Sequence, residues 1–133
     1  MKGRILVVDD DKSIVRLMER ILGNEGYHVH SASNGLLALK KAVDVEPDLI
    51  ILDLMLPGMD GFDTCQRLRQ GRSTSDVPIV ILSAKSQDTD KATAAVYGAD
   101  AYLTKPVNSA ELLAMLEDLL NRDPVEGKRY SLS

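Results

Sequence analysis

The sequence predicts an α/β domain of five β–α units arranged around a parallel sheet. Two observations carry this expectation. Short apolar runs alternate with longer amphipathic stretches along the chain, the pattern of strands joined by helices. Three of the runs are continuously apolar and rich in β-branched residues, as strands are when helices cover both faces. Right-handed crossovers then make the sheet parallel, with helices on both sides of it.

The elements follow in order. Ile5–Val8 is the first strand. Ile14, Leu17, Met18, Ile21 and Leu22 then recur at helical spacing on one face, and Gly26 is expected to stop that helix in a left-handed turn. His28–Ser31 is the second strand, and Leu39, Ala42 and Val43 mark the helix after it. Leu49–Leu52 is the third strand, followed by a shorter helix around Leu68 that Gly71 should end in the same way. Gln70–Val77 reads as a polar loop before the fourth strand, Ile79–Leu82. Gly98 is the third expected left-handed stop, ahead of the fifth strand, Ala101–Leu103. Leu112, Leu113, Leu116, Leu119 and Leu120 form the apolar face of the last helix, with Asn108 and Glu111 placed as a capping box.

Composition narrows the function classes. The chain of 133 residues fits one domain, residues 1–122, with 123–133 as a tail or the start of a linker. Sixteen basic against twenty acidic residues leave a net charge of −4, which argues against direct nucleic-acid binding. With no Trp and one Phe, a base-stacking surface is not expected either. No apolar run is long enough for a membrane helix, and no signal-peptide pattern follows Met1. The single cysteine, Cys65, excludes an intrachain disulfide and fits a reducing, cytoplasmic setting. Cys65 reads as packing, Lys40 and Lys41 as a solvated helix face, and His28 and His30 as edge-strand side chains without a third metal ligand.

In a parallel sheet of this kind, ligands sit beyond the carboxyl ends of the strands, and those positions are unusual here. The first strand is followed by Asp9, Asp10 and Asp11. One of them can cap the first helix, but three adjacent carboxylates repel one another at the mouth of a sheet. Asp53 follows the third strand and joins the cluster if the first and third strands are neighbours. Such a pocket calls for a divalent cation, and hard oxygen ligands suit magnesium. Ser83 ends the fourth strand, and Lys105, held by Pro106, follows the fifth. A hydroxyl and an ammonium facing a cation-filled carboxylate pocket make a site for a phosphoryl group.

The stretches Ile5–Asp10 (ILVVDD), Asp48–Gly61 (DLIILDLMLPGMDG), Pro78–Ala84 (PIVILSA) and Gly98–Pro106 (GADAYLTKP) together resemble the receiver domain of two-component response regulators. The resemblance implies a flavodoxin-like, doubly wound five-stranded sheet of order 2-1-3-4-5. It implies a switch activated by phosphorylation rather than an enzyme with a separate substrate. Asp53 resembles the phosphoacceptor, which takes a phosphoryl group from a sensor histidine kinase or a histidine phosphotransfer protein. Asp10, Asp53 and the carbonyl of Met55 would ligate Mg²⁺, with Asp9 holding it through water. Ser83 and Lys105 would bind phosphoryl oxygens, and Tyr102 resembles the aromatic that moves with the hydroxyl at Ser83.

Two other readings are weaker. Asp9-Asp10-Asp11-Lys12-Ser13 fits the D-x-D-x-[ST] nucleophile motif of haloacid-dehalogenase-like phosphatases. That chemistry wants further acids after its lysine, whereas Lys105 is followed by Pro-Val-Asn-Ser-Ala, and Asp53 would have no role. A nucleotide-binding domain would want a glycine-rich loop where the three aspartates stand. The downstream effector is not legible. Receivers of winged-helix transcription factors resemble one another in an acid after the Gly-Ala-Asp turn and bases on the last helix. Ala101, Met115 and Glu117 occupy such positions here, against a dimer held by that ion-pair network.

Overall fold

The structure is a computed structural model, and it describes residues 2–84 and 88–121. Five strands and five helices alternate: β1 (Arg4–Val8), α1 (Lys12–Asn24), β2 (His28–Ala32), α2 (Gly35–Val45), β3 (Leu49–Leu52), α3 (Gly61–Gln70), β4 (Ile79–Ser83), α4 (Asp88–Val96), β5 (Ala101–Thr104) and α5 (Ser109–Leu120). All pairings are parallel, and the sheet order is β2-β1-β3-β4-β5. The expected strands are all present, and four gain one residue: Arg4, Ala32, Ser83 and Thr104. Residues 123–133, expected as a tail, lie outside the described residues.

The pleat sorts side chains into two layers. Ile5, Val7, Leu49, Ile51, Val80 and Leu82 face Met18 and Leu22 of α1 and Leu112, Leu116 and Leu119 of α5. Leu6, Val8, Ile50, Leu52, Ile79 and Ile81 pack on the other side with Ala38 and Ala42 of α2, Cys65 and Leu68 of α3 and Ala94 of α4. Every residue of Leu49–Leu52 is therefore buried, whichever way it points. Each such Leu or Ile contributes about 1.5–3 kcal/mol by leaving water, and that is why the run carries no polar alternation.

Helix starts are set by side-chain caps. Asp11 accepts from the Ser13 N–H, Asn34 from Leu37, Asp60 from Asp63 and Asn108 from Glu111, each worth about 1 kcal/mol. At helix ends the structure corrects one expectation. Gly26 and Gly98 do take positive φ, but Gly71 sits at φ −75°. Space, not handedness, selects glycine there, because a Cβ on Gly71 would lie 2.6 Å from the Thr74 hydroxyl.

Arg69, near the end of α3, ties three segments together. Its guanidinium donates to the carbonyls of Gly98 (2.8 Å) and Val77 (2.6 Å) and to Asp100 Oδ2 (2.5 Å). The same Asp100 oxygen accepts from the Ile79 N–H at 2.8 Å, so the starts of β4 and β5 are fixed to each other and to α3.

β2 forms one edge of the sheet, and His28 and His30 stack on it with ring centroids 4.7 Å apart. Burial, then the charges of His28, Lys41 and Arg4, hold His30 below the ordinary value of 6.5. The unfolded chain therefore takes up this proton first as pH falls through 6.5, and the folded state loses stability until pH drops below the folded value. His30→Gln is expected to flatten this part of the acid limb. Urea unfolding at steps of pH checks it, and an unchanged slope would contradict the assignment.

Candidate functional site

Because β1 lies beside β3, and β3 beside β4, the carboxyl ends of these strands bring distant residues to one mouth. Asp9 follows β1 and Asp53 follows β3, and both are buried, at 4% and 5% exposure. Asp10 is exposed at the rim. Oxygens of these three carboxylates lie within 4.8 Å of one another. Lys105 Nζ reaches across from the end of β5, donating to Asp9 Oδ2 at 2.9 Å and to Asp53 Oδ2 at 3.3 Å. The Lys105–Pro106 peptide is cis. Asp11 stands apart as the cap of α1, where hydrogen bonds from the Ser13 hydroxyl and N–H hold it below the ordinary carboxylate value. One of the three consecutive acids is thus structural, and two belong to the pocket.

Backbone donors orient the buried acids. The Asp11 N–H donates to Asp9 Oδ1 at 2.9 Å, and the Met55 N–H donates to Asp53 Oδ1 at 3.1 Å. In each aspartate the other oxygen, Oδ2, is the one facing Lys105. Burial pushes Asp9 above the ordinary aspartate value, against the Asp11 N–H and Lys105, with the charge of Asp53 adding to the rise. For Lys105, burial is the largest single influence and lowers its pKa. The hydrogen bonds and charges of Asp9 and Asp53 together outweigh it, so the Lys105 pKa lies above its usual value. A fixed cation between two desolvated carboxylates is a site prepared to accept further negative charge once those acids are neutralised.

Ser83 is fully buried at the end of β4, and its carbonyl accepts from the Lys105 N–H at 2.7 Å. Tyr102, opposite Ile81 in the β4–β5 register, is buried at 8% exposure in the layer that holds α4. Met55 is exposed beside Asp53. The structure therefore brings Asp9, Asp10, Asp53 and Lys105 together, sets Ser83 on the neighbouring strand end, and places Tyr102 deeper along β5.

Residue-by-residue reading of the sequence left Gly61 without a role. A Cβ there would lie 2.4 Å from the carbonyl oxygen of Asp53 and 2.5 Å from Leu54 Cα, so the start of α3 rests directly on the backbone of Asp53. Its only sequence signal is its place in the Met-Asp-Gly turn.

These features are those of a phosphoryl-accepting signalling module, and comparison with known proteins agrees. The model of the response regulator receiver domain matches residues 5–117, and the chain belongs to that family. The DNA-binding dual master transcriptional regulator RpaA of Synechocystis sp. is 47% identical over 119 residues, covering 90% of this chain and 49% of that protein. The chain spans about half the length of the curated relatives it matches. A response regulator from Chloroflexus aurantiacus superposes with a TM-score of 0.86 at 36% identity, covering 90% of this chain and 98% of that one. The receiver domain of sensor histidine kinase PA1611 from Pseudomonas aeruginosa, solved with a magnesium ion coordinated in its active-site cleft, gives 0.84 at 29% identity over 90% of this chain and 98% of that one.

Proposed function

We propose that the chain is the phosphorylation-activated switch of a two-component system, taking a phosphoryl group from a phosphohistidine onto Asp53. The observation that carries this reading is Lys105 Nζ bridging Asp9 and Asp53 within a cluster of three carboxylates. The donor would be a sensor histidine kinase or a histidine phosphotransfer protein. The receiver would span residues 1–122, work in the cytoplasm, and pass its signal to an effector without touching nucleic acid itself. No helix among the described residues is long and apolar enough to cross a membrane.

The donor set fits Mg²⁺, since hard oxygens converge in a small space. Asp10, Asp53 and the Met55 carbonyl would hold it, with Asp9 acting through water. When bound, the cation supplies charge neutralisation to the carboxylates and to the phosphoryl oxygens. The chain's own residues do the rest. Asp53 Oδ attacks phosphorus as the P–N bond to the donor imidazole breaks, giving an acyl phosphate. Met55 N–H fixes the orientation of the nucleophile. Lys105 shifts from carboxylate to phosphoryl oxygen, and the Ser83 hydroxyl donates to another. This is self-catalysed transfer, with slow autodephosphorylation, on a regulatory domain.

Two expected results test the parts. Asp10→Ala should leave the metal-free protein at least as stable, because it removes repulsion without removing a cap, while abolishing the Mg²⁺ effect on melting. A sharp fall in the metal-free melting temperature would count against repulsion. Ser83→Ala should still take up phosphoryl but fail to transmit it. With beryllofluoride as the phosphoryl mimic, NMR shifts around Lys91, Tyr102 and Glu111 should be large in the wild type and small in the variant. Equal shifts in both would rule out the hydroxyl as trigger.

A further inference from the structure

We propose that the free edge of β2 docks an extended acidic segment of a partner protein, which adds to the sheet as a sixth strand. The edge is open to it. His28 donates its N–H to Gly3 O, and Ala32 O accepts from the Asp9 N–H, so residues 28, 30 and 32 bond toward β1. Strand alternation turns the N–H and C=O of Val29 and Ser31 outward, where they have no partner among the described residues. These are the groups an added strand pairs with.

The two faces of this edge differ in chemistry. On the α2 side stand the stacked His28 and His30, with Arg4 opposite His28 in the register and Lys41 from α2 close enough to act on His30. None of these four forms an ion pair among the described residues. The Nε of Arg4 is buried without a hydrogen-bond partner. Arg4 and Lys41 carry the fixed positive charge of this face, and Asp48 accepts from the Arg4 backbone N–H and not from its guanidinium. An acidic strand laid here gains attraction while favouring protonation of the imidazoles.

On the α1 side, two open grooves of about 420 and 280 Å³ run along β2. Tyr27 and Val29 line the first, the second is lined largely by charged groups, among them Asp9, Asp10, Lys12 and Arg16, and Glu19 borders both. Beside Tyr27 and Val29 that side accepts an apolar side chain, and Glu19 disfavours acids. A strand laid on β2 presents successive side chains to opposite faces, so the fitting sequence alternates acidic and apolar residues, with the acids over His28 and His30.

A capped synthetic peptide of alternating Glu and Val tests this against isotope-labelled protein by NMR titration. The amide signals of Val29 and Ser31 should shift, and N-methylation of alternate peptide residues, which removes backbone donors at constant charge, should abolish binding. His28→Glu/His30→Glu should weaken the Glu–Val peptide by about tenfold or more and instead bind a Lys–Val peptide. Equal binding of the N-methylated peptide would reduce the site to charge attraction alone and overturn strand addition. So would absence of shifts at millimolar peptide. Concentration-dependent dimerisation through β2 without peptide would make a second copy the occupant, against the proposal.

Discussion

Acetyl phosphate with Mg²⁺ is expected to add one phosphoryl group to the protein, at Asp53, and none to Asp53→Asn. Three nearby carboxylates could compete as nucleophiles, and their surroundings differ. Asp10 is exposed and lacks the fixed cation. Asp9 and Asp53 share Lys105, but the Asp9 pKa is raised by burial, which keeps a proton on it longer. Each of the two is oriented by the N–H two residues on, Asp11 for Asp9 and Met55 for Asp53. Asp9 is held closer to Lys105, at 2.9 Å against 3.3 Å, which leaves Asp53 the freer oxygen. Asparagine preserves the hydrogen bond from Met55 and the shape while removing the nucleophilic oxygen anion, so loss of labelling would be chemical and not structural. Intact-mass measurement before and after the donor decides the matter. Labelling of Asp53→Asn at the wild-type rate would move the nucleophile to Asp9 and end the receiver assignment of roles.

Asp100→Ala is expected to destabilise the fold by about 3 kcal/mol, because breaking a buried ion pair strands the remaining charge. Asp100 is 2% exposed, and its one oxygen serves both Arg69 and the Ile79 N–H. Without it, Arg69 keeps its carbonyl partners Gly98 and Val77, which holds the loss to the lower end of the range. A domain with about 5–15 kcal/mol in total would show this clearly as a lower urea midpoint. Asp100→Asn, which retains an acceptor, should cost distinctly less. A loss under about 1 kcal/mol for the alanine variant would mean that the starts of β4 and β5 are held by other contacts.

The strands were legible because a sheet covered on both faces leaves no room for polar alternation, so Leu49–Leu52 announces itself. Their ends were less so. Ser83 and Thr104 are polar because they sit at the mouth of the sheet, and a reading by apolarity stops one residue short of each. The pocket was legible because its residues cluster by position after successive strands. Arg69 and Gly61 were not. The Arg69–Asp100 pair joins residues far apart in the chain, and Arg69 looks like any basic residue near a helix end. Gly71 was read as a handedness signal when its reason is the crowding by Thr74. A glycine does not tell by itself whether it supplies an angle or a gap.

Gly61 has a mechanical consequence for signalling. If Asp53 is the phosphoacceptor proposed above, α3 seated directly against its carbonyl opposes recoil of its backbone when a bulky dianion is bonded to its side chain. The displacement would then fall to the far wall of the cleft, the ends of β4 and β5 that carry Ser83 and Lys105. The chemistry is thus braced on one side and read out on the other. Sequence changes in the reading half away from Ser83 and Lys105, at Tyr102 for example, would retune the response without altering the groups that take part in the phosphorylation step.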